Sequence, residues 1–184
     1  MVMGDLSRNW QESFVNYAFT SRDAIGVEGI AMRSDDQLLN RQALSLTYTR
    51  LAKRWNMPEA QANVWLFAGL GTIKGNGFAN QQTLYSPGVQ VDYETTRVYV
   101  AATARLYRAS GINHDYASVR AGFSFYEAGY EESQPWLVVE ARRMRGLSDR
   151  TEITPMLRLI SSRYFLEAGV SNQRQVRFNF MYTF

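Results

Sequence analysis

Hydrophobic and polar side chains change places at every second residue through most of this chain. The clearest internal case puts Val98, Val100, Ala102, Ala104 and Leu106 on one face and Arg97, Tyr99, Thr103, Arg105 and Tyr107 on the other. The last nine residues repeat the pattern: Val176, Phe178, Phe180, Tyr182 and Phe184 alternate with Arg177, Asn179, Met181 and Thr183. Period 2 is the spacing of a β-strand with one apolar and one polar face. The same reading predicts strands over 10–20, 25–33, 41–55, 61–74, 87–94, 97–107, 116–128, 135–146, 152–160, 163–170 and 176–184. Only 61–74 withholds its faces, being apolar on both from Val64 onward.

Alternation decides how the composition is read. Hydrophobic residues make up 46% of the chain, yet mean hydropathy is −0.31, because they are interleaved with polar ones. The longest nearly apolar run, 64–73, is half the ~20 residues a membrane helix needs, whereas a membrane strand needs only about 9–11. A chain of 184 residues fits one domain, 1–184, in which residues 1–8 are either a partial strand or a tail. There is no cysteine, hence no disulfide or thiolate metal site. Met1–Asp5 has neither the basic nor the apolar stretch of a secretory signal, so an exported form would have lost its signal.

A chain that stops on Phe184 after an aromatic strand resembles the closing strand of bacterial outer-membrane β-barrels. The resemblance implies an all-β fold: a closed, antiparallel, up-and-down transmembrane β-barrel integral to the outer membrane. It also implies outer-membrane lipid around the belt and recognition of the C-terminal strand by the barrel assembly machinery. Such barrels close with an even strand number. Eleven strands therefore predict a twelfth within residues 1–7; the alternative is ten, with 87–107 fused. If Phe184 ends on the periplasmic side, the turns at 21–23, 56–60, 94–96, 130–134 and 161–163 are periplasmic. The connections at 35–40, 75–86, 109–115, 147–151 and 171–175 are then external and on the whole longer. That parity collects Phe19, Trp55, Tyr93, Trp136, Tyr164 and Phe184 at one boundary, as in an interfacial aromatic girdle.

Charge falls on the faces opposite the apolar ones. Arg97, Arg105, Arg120, Glu140, Arg142, Arg158, Glu167 and Arg177 are the predicted lumen lining, with Glu12, Glu28 and Asp92 on the same side. Two readings stand: an ion-pair network that fills the barrel, or a charged pore lining that selects solutes. Acids and arginines nearly balance, so any anion preference would be slight. The function expected is a small-solute, porin-like channel or a surface scaffold, and not an enzyme. One alternative is a barrel enzyme with a loop site near His114, the sole histidine, beside Asp115 and Asp149. Another is a soluble β-barrel binding an apolar ligand. No catalytic elbow, metal-ligand spacing or cofactor motif occurs, and the scattered arginines form no nucleic-acid-binding arm.

Overall fold

The computed structural model describes residues 1–129 and 132–184, and among these every regular element is a β-strand. Twelve antiparallel strands close a ring: β1 (Val2–Leu6), β2 (Trp10–Ala18), β3 (Asp23–Arg33), β4 (Asn40–Asn56), β5 (Ala60–Gly75), β6 (Gln82–Tyr85 and Gly88–Thr95), β7 (Val98–Arg105 and Arg108–Ala109), β8 (Ile112–Asn113 and Tyr116–Ser124), β9 (Gln134–Met144), β10 (Glu152–Ser161), β11 (Tyr164–Val170) and β12 (Val176–Tyr182). The seam joins the two ends of the chain, from Val2↔Tyr182 to Leu6↔Phe178. Residues 1–7 do supply the twelfth strand, and a turn at 96–97 separates β6 from β7, which rules out the ten-strand fusion.

The faces run as the alternation predicts. Leu46 and Leu157 stand outward at 70% and 68% exposure, while Glu140 and Arg177 point inward at 0%. Apolar surface on this scale is unfavourable in water, at about 25 cal/mol per Å2, and costs nothing against hydrocarbon. β5 resolves too: Leu66 and Leu70 face out, and Asn63, Trp65, Phe67 and Ile73 face in.

One irregularity was not legible. Register between β4 and β5 slips between Leu51 and Lys53, leaving Ala52 as a bulge. An extra residue reverses the faces beyond it. Without it Trp55 would point inward; with it Trp55 stands outward, with Lys53 Nζ 5.7 Å from its ring centroid.

The two rims differ. At the turn end, Phe19, Trp55, Tyr93, Tyr164 and Phe184 are all exposed, and Tyr164, Tyr182 and Phe184 stack in succession at 5.1 and 6.4 Å. Trp136 is a correction. It lies at that end but points inward, 5% exposed, donating through Nε1 to Gln134 Oε1 at 3.1 Å and packing with Val138 and Met156. Leu137 and Val139 take the outward side of β9, so parity decides against Trp136 whatever its height.

Connections depart from prediction in three places, the first being 109–115, which shrinks to 110–111 where Arg108–Ala109 pairs with Ile112–Asn113. Residues 82–85 pair with β5, so the connection expected over 75–86 shrinks to 76–81. β8 ends at Ser124 and not at 128, leaving 125–133 between β8 and β9 on the turn end, against the short-turn rule. Part of the predicted 130–134 turn, residues 130 and 131, lies outside the described residues.

Candidate functional site

The interior divides into three levels. Midway along the barrel, arginines and carboxylates from six neighbouring strands form one continuous chain. Arg158 on β10 pairs through Nε with Glu167 on β11 at 3.1 Å, and Glu167 lies 3.8 Å from Arg120 on β8. Arg120 reaches Glu140 on β9 at 3.2 Å, and Glu140 also pairs with Arg177 on β12. Arg177 holds Asp5 on β1 at 2.7 Å, Asp5 lies 3.7 Å from Arg142, and Arg142 holds Glu152 at 2.7 Å. Cross-strand register explains several links directly: Arg120↔Glu140, Arg142↔Glu152, and Arg158↔Glu167 are opposed residues. Four guanidinium groups meet four carboxylates. Each charge is neutralised locally, as a desolvated charge must be.

Arg158 is held further by Tyr99 and Phe165, whose ring centroids lie 4.7 and 4.8 Å from its guanidinium carbon. A separate group spans the lumen. Arg105 on β7 grips Glu28 on β3 with both terminal nitrogens, the second at 3.1 Å, across the lumen from strand to strand. Glu12 is beside them, accepting from Trp10 Nε1 at 2.9 Å.

Above this level, at the loop end, the interior turns apolar. Trp10, Met32, Ile73, Leu84, Tyr107 and Met144 form a buried cluster, each at most 2% exposed, with Phe78 packed against it from the 76–81 loop. Trp10 and Tyr107 meet edge to face at 5.1 Å. Loops tie down over them. Asp35 N donates to Leu147 O at 2.9 Å, joining the β3–β4 and β9–β10 connections, which stand six strands apart on a twelve-strand ring. Asn9 Nδ2 adds a donor to Asp35 Oδ1 at 2.9 Å. This roof closes the loop end.

His114 belongs to that roof. It is 4% exposed, and Arg41, which can only donate, meets Nε2. The ring proton therefore sits on Nδ1, 3.1 Å from the Arg145 carbonyl. Burial, the largest influence, holds its pKa below the ordinary 6.5. Both ring nitrogens are occupied, and neighbouring Asp115 is engaged with Arg108 at 3.0 Å. Asp149 is exposed on the loop. The acid–base arrangement sketched from sequence is not assembled.

Below the roof the inward residues differ in exposure, and Trp136 at the turn end is buried. Side-chain exposure rises to 13% at Arg105 and 20% at Arg120 and Asp5, and Met3, inward at the turn end, reaches 37%.

Of the eight residues expected to line the lumen, seven are inward: Arg105, Arg120, Glu140, Arg142, Arg158, Glu167 and Arg177. Arg97 is not. It is exposed in the β6–β7 turn and donates to the Ser124 and Phe125 carbonyls at 3.3 and 3.2 Å, because β7 starts one residue later than its alternation. Sequence reasoning passed over Asp5, hidden in an apparent tail, and Glu152, at the first position of its strand. The inward parity of β10, read back from Arg158, was the available signal for Glu152.

No family model matches the chain, and no curated protein matches it. Solved structures do. A KdgM porin in complex with disordered oligogalacturonate is similar over 100% of this chain and 97% of that one, at 14% identity and TM-score 0.56. A second KdgM porin structure matches with the same coverage at 12% identity and TM-score 0.55. A NanC porin gives 10% identity and TM-score 0.48, covering 100% and 98%. The likeness is one of fold alone.

Proposed function

We propose that this protein is an integral outer-membrane β-barrel whose lumen is a gated, not a standing, path for small polar solutes. The observation that carries this reading is the inversion of the fold: apolar side chains outward as a belt, paired charges inward, and a roof over the loop end. The similarity of fold to KdgM porins supports the porin-like part. The oligogalacturonate of one such structure does not carry over, since the arginines here are matched by carboxylates and leave little net field to select an anion. The exposed C-terminal aromatics support insertion by the barrel assembly machinery, with lipid against the belt.

A roof of buried rings gates by shutting out water. In planar bilayers the native protein should be nearly silent, and Trp10→Ala combined with Tyr107→Ala should produce discrete conductance steps. Adding Arg120→Glu to that pair should then shift ion selectivity towards cations. The second reading, a scaffold that presents its loops, is favoured by the continuity of the ion-pair chain. A correctly folded roof variant that remains ion-tight would decide for the scaffold and against the channel.

A further inference from the structure

On the outer surface, β6 to β9 leave a hollow of about 320 Å3 in the apolar belt. Register explains it. One cross-strand row carries Val89, Ala104, Ala117 and Arg143. The next row towards the turn end carries Val91, Ala102, Val119 and Ala141. Four alanines in two adjoining rows remove bulk beside Val89 and Val91 on β6 and around Val119 on β8, and the result is an apolar slot.

Arg143 is the second observation. It is the one charge in these rows, it is exposed on the outward face of β9, and among the described residues it makes no ion pair or side-chain hydrogen bond. An outward arginine is unfavourable deep in hydrocarbon and tolerable only towards the interface. Immediately beyond it, towards the loop end, Arg108 and Arg145 share a single carboxylate, Asp115, at 3.0 and 3.6 Å. Three guanidinium groups therefore stand over one acid at the head of an apolar slot.

We infer that this hollow is a binding site for a phosphorylated glycolipid of the outer leaflet, with an acyl chain in the slot and phosphate on Arg143 and the Arg108–Asp115–Arg145 group. Guanidinium forks match phosphate oxygens in pairs. The assignment to the outer leaflet rests on the outer-membrane reading, in which the loop end faces outward.

The test uses full-length protein in detergent, with its barrel verified by heat-modifiable gel mobility. Lipid A is titrated and bound copies are read by native mass spectrometry. One tightly held copy is expected, with Arg143→Gln and Ala117→Trp each weakening it about tenfold or more. Removing the phosphates from lipid A should weaken wild-type binding as much as Arg143→Gln does. Undiminished binding by folded Ala117→Trp overturns the site, and equal binding of phosphatidylglycerol overturns the glycolipid assignment. Release of the protein from membranes by carbonate would instead defeat the outer-membrane reading, so the two failures are told apart.

Discussion

The middle of this barrel and its roof are both inward-facing and both buried, yet they are held by opposite means. At mid-height, eight charged residues from Arg158 round to Glu152 neutralise one another in a chain. At the loop end, Trp10, Met32, Ile73, Leu84 and Tyr107 pack as in the core of a water-soluble protein. A chain of ion pairs is directional and intolerant of a missing member, because each loss strands a desolvated charge. An apolar cluster is non-directional and can re-pack. The contrast assigns them different work: the first fixes the barrel's cross-section, and the second can shift without breaking any specific bond.

The largest expected effect of breaking the comparison is at Arg177, where two acids share one cation. Arg177→Met leaves Asp5 and Glu140 short of a partner and should cost about 3–5 kcal/mol of stability, measured by urea unfolding in detergent micelles. Removing both members of a pair should hurt less than the single losses suggest. Arg142→Met with Glu152→Leu leaves Asp5 still on Arg177, so the double variant should recover ~0.5–3 kcal/mol relative to the sum of its singles. Strict additivity would mean that these contacts are not coupled at all.

Why one region was readable in the sequence and the other was not follows from the same contrast. The ion-pair chain lies where alternation is clean, so Arg120, Glu140, Arg142, Arg158, Glu167 and Arg177 could be placed inward by parity alone. Who pairs with whom depends on register across strands, which no single strand reveals; Arg120 reaching both Glu140 and Glu167 is of that kind. The roof breaks the rule that apolar means outward. Ile30 and Met32 share the inward parity of Glu28, and Ile73 sits in the segment whose two faces are both apolar. That doubled apolarity at loop-end strand termini was the visible trace of a plug, and alternation by itself cannot tell a plug from a strand with two lipid faces. The bulge at Ala52 left no trace, since alanine suits either face. Trp136 and Arg97 were misplaced for a local reason: each lies within the first residues of a strand or just before it, where height and face are independent.

Met32→Ala sharpens the comparison from the apolar side. It removes a side chain with no exposed surface from a cluster close to solvent at the rim, which can settle around the gap. A loss near 2 kcal/mol is expected, the low end of the ~2–5 range for such truncations. Its conductance should change more than its stability does. If urea unfolding moves as far as for Arg177→Met while bilayers remain silent, the roof is structural and the division of labour fails.

The smallest effect is the dependence on pH that His114 gives the roof. His114 is neutral in the folded protein because burial, opposed by the Arg145 carbonyl and aided by nearby Arg41, holds its pKa below 6.5. Between that depressed value and 6.5 the unfolded chain binds a proton that the folded one refuses, so stability rises with pH across this window. Above 6.5 the contribution is complete; it declines as pH falls through the window and is constant beneath it. Protonation takes away the Nε2 lone pair that accepts from Arg41 and sets two cations face to face beneath the loops. Acidification should therefore loosen the roof and raise the frequency of conductance events, and His114→Asn should remove the part of that response that titrates below 6.5. An acid-induced opening that survives His114→Asn unchanged would shift the gate away from the roof.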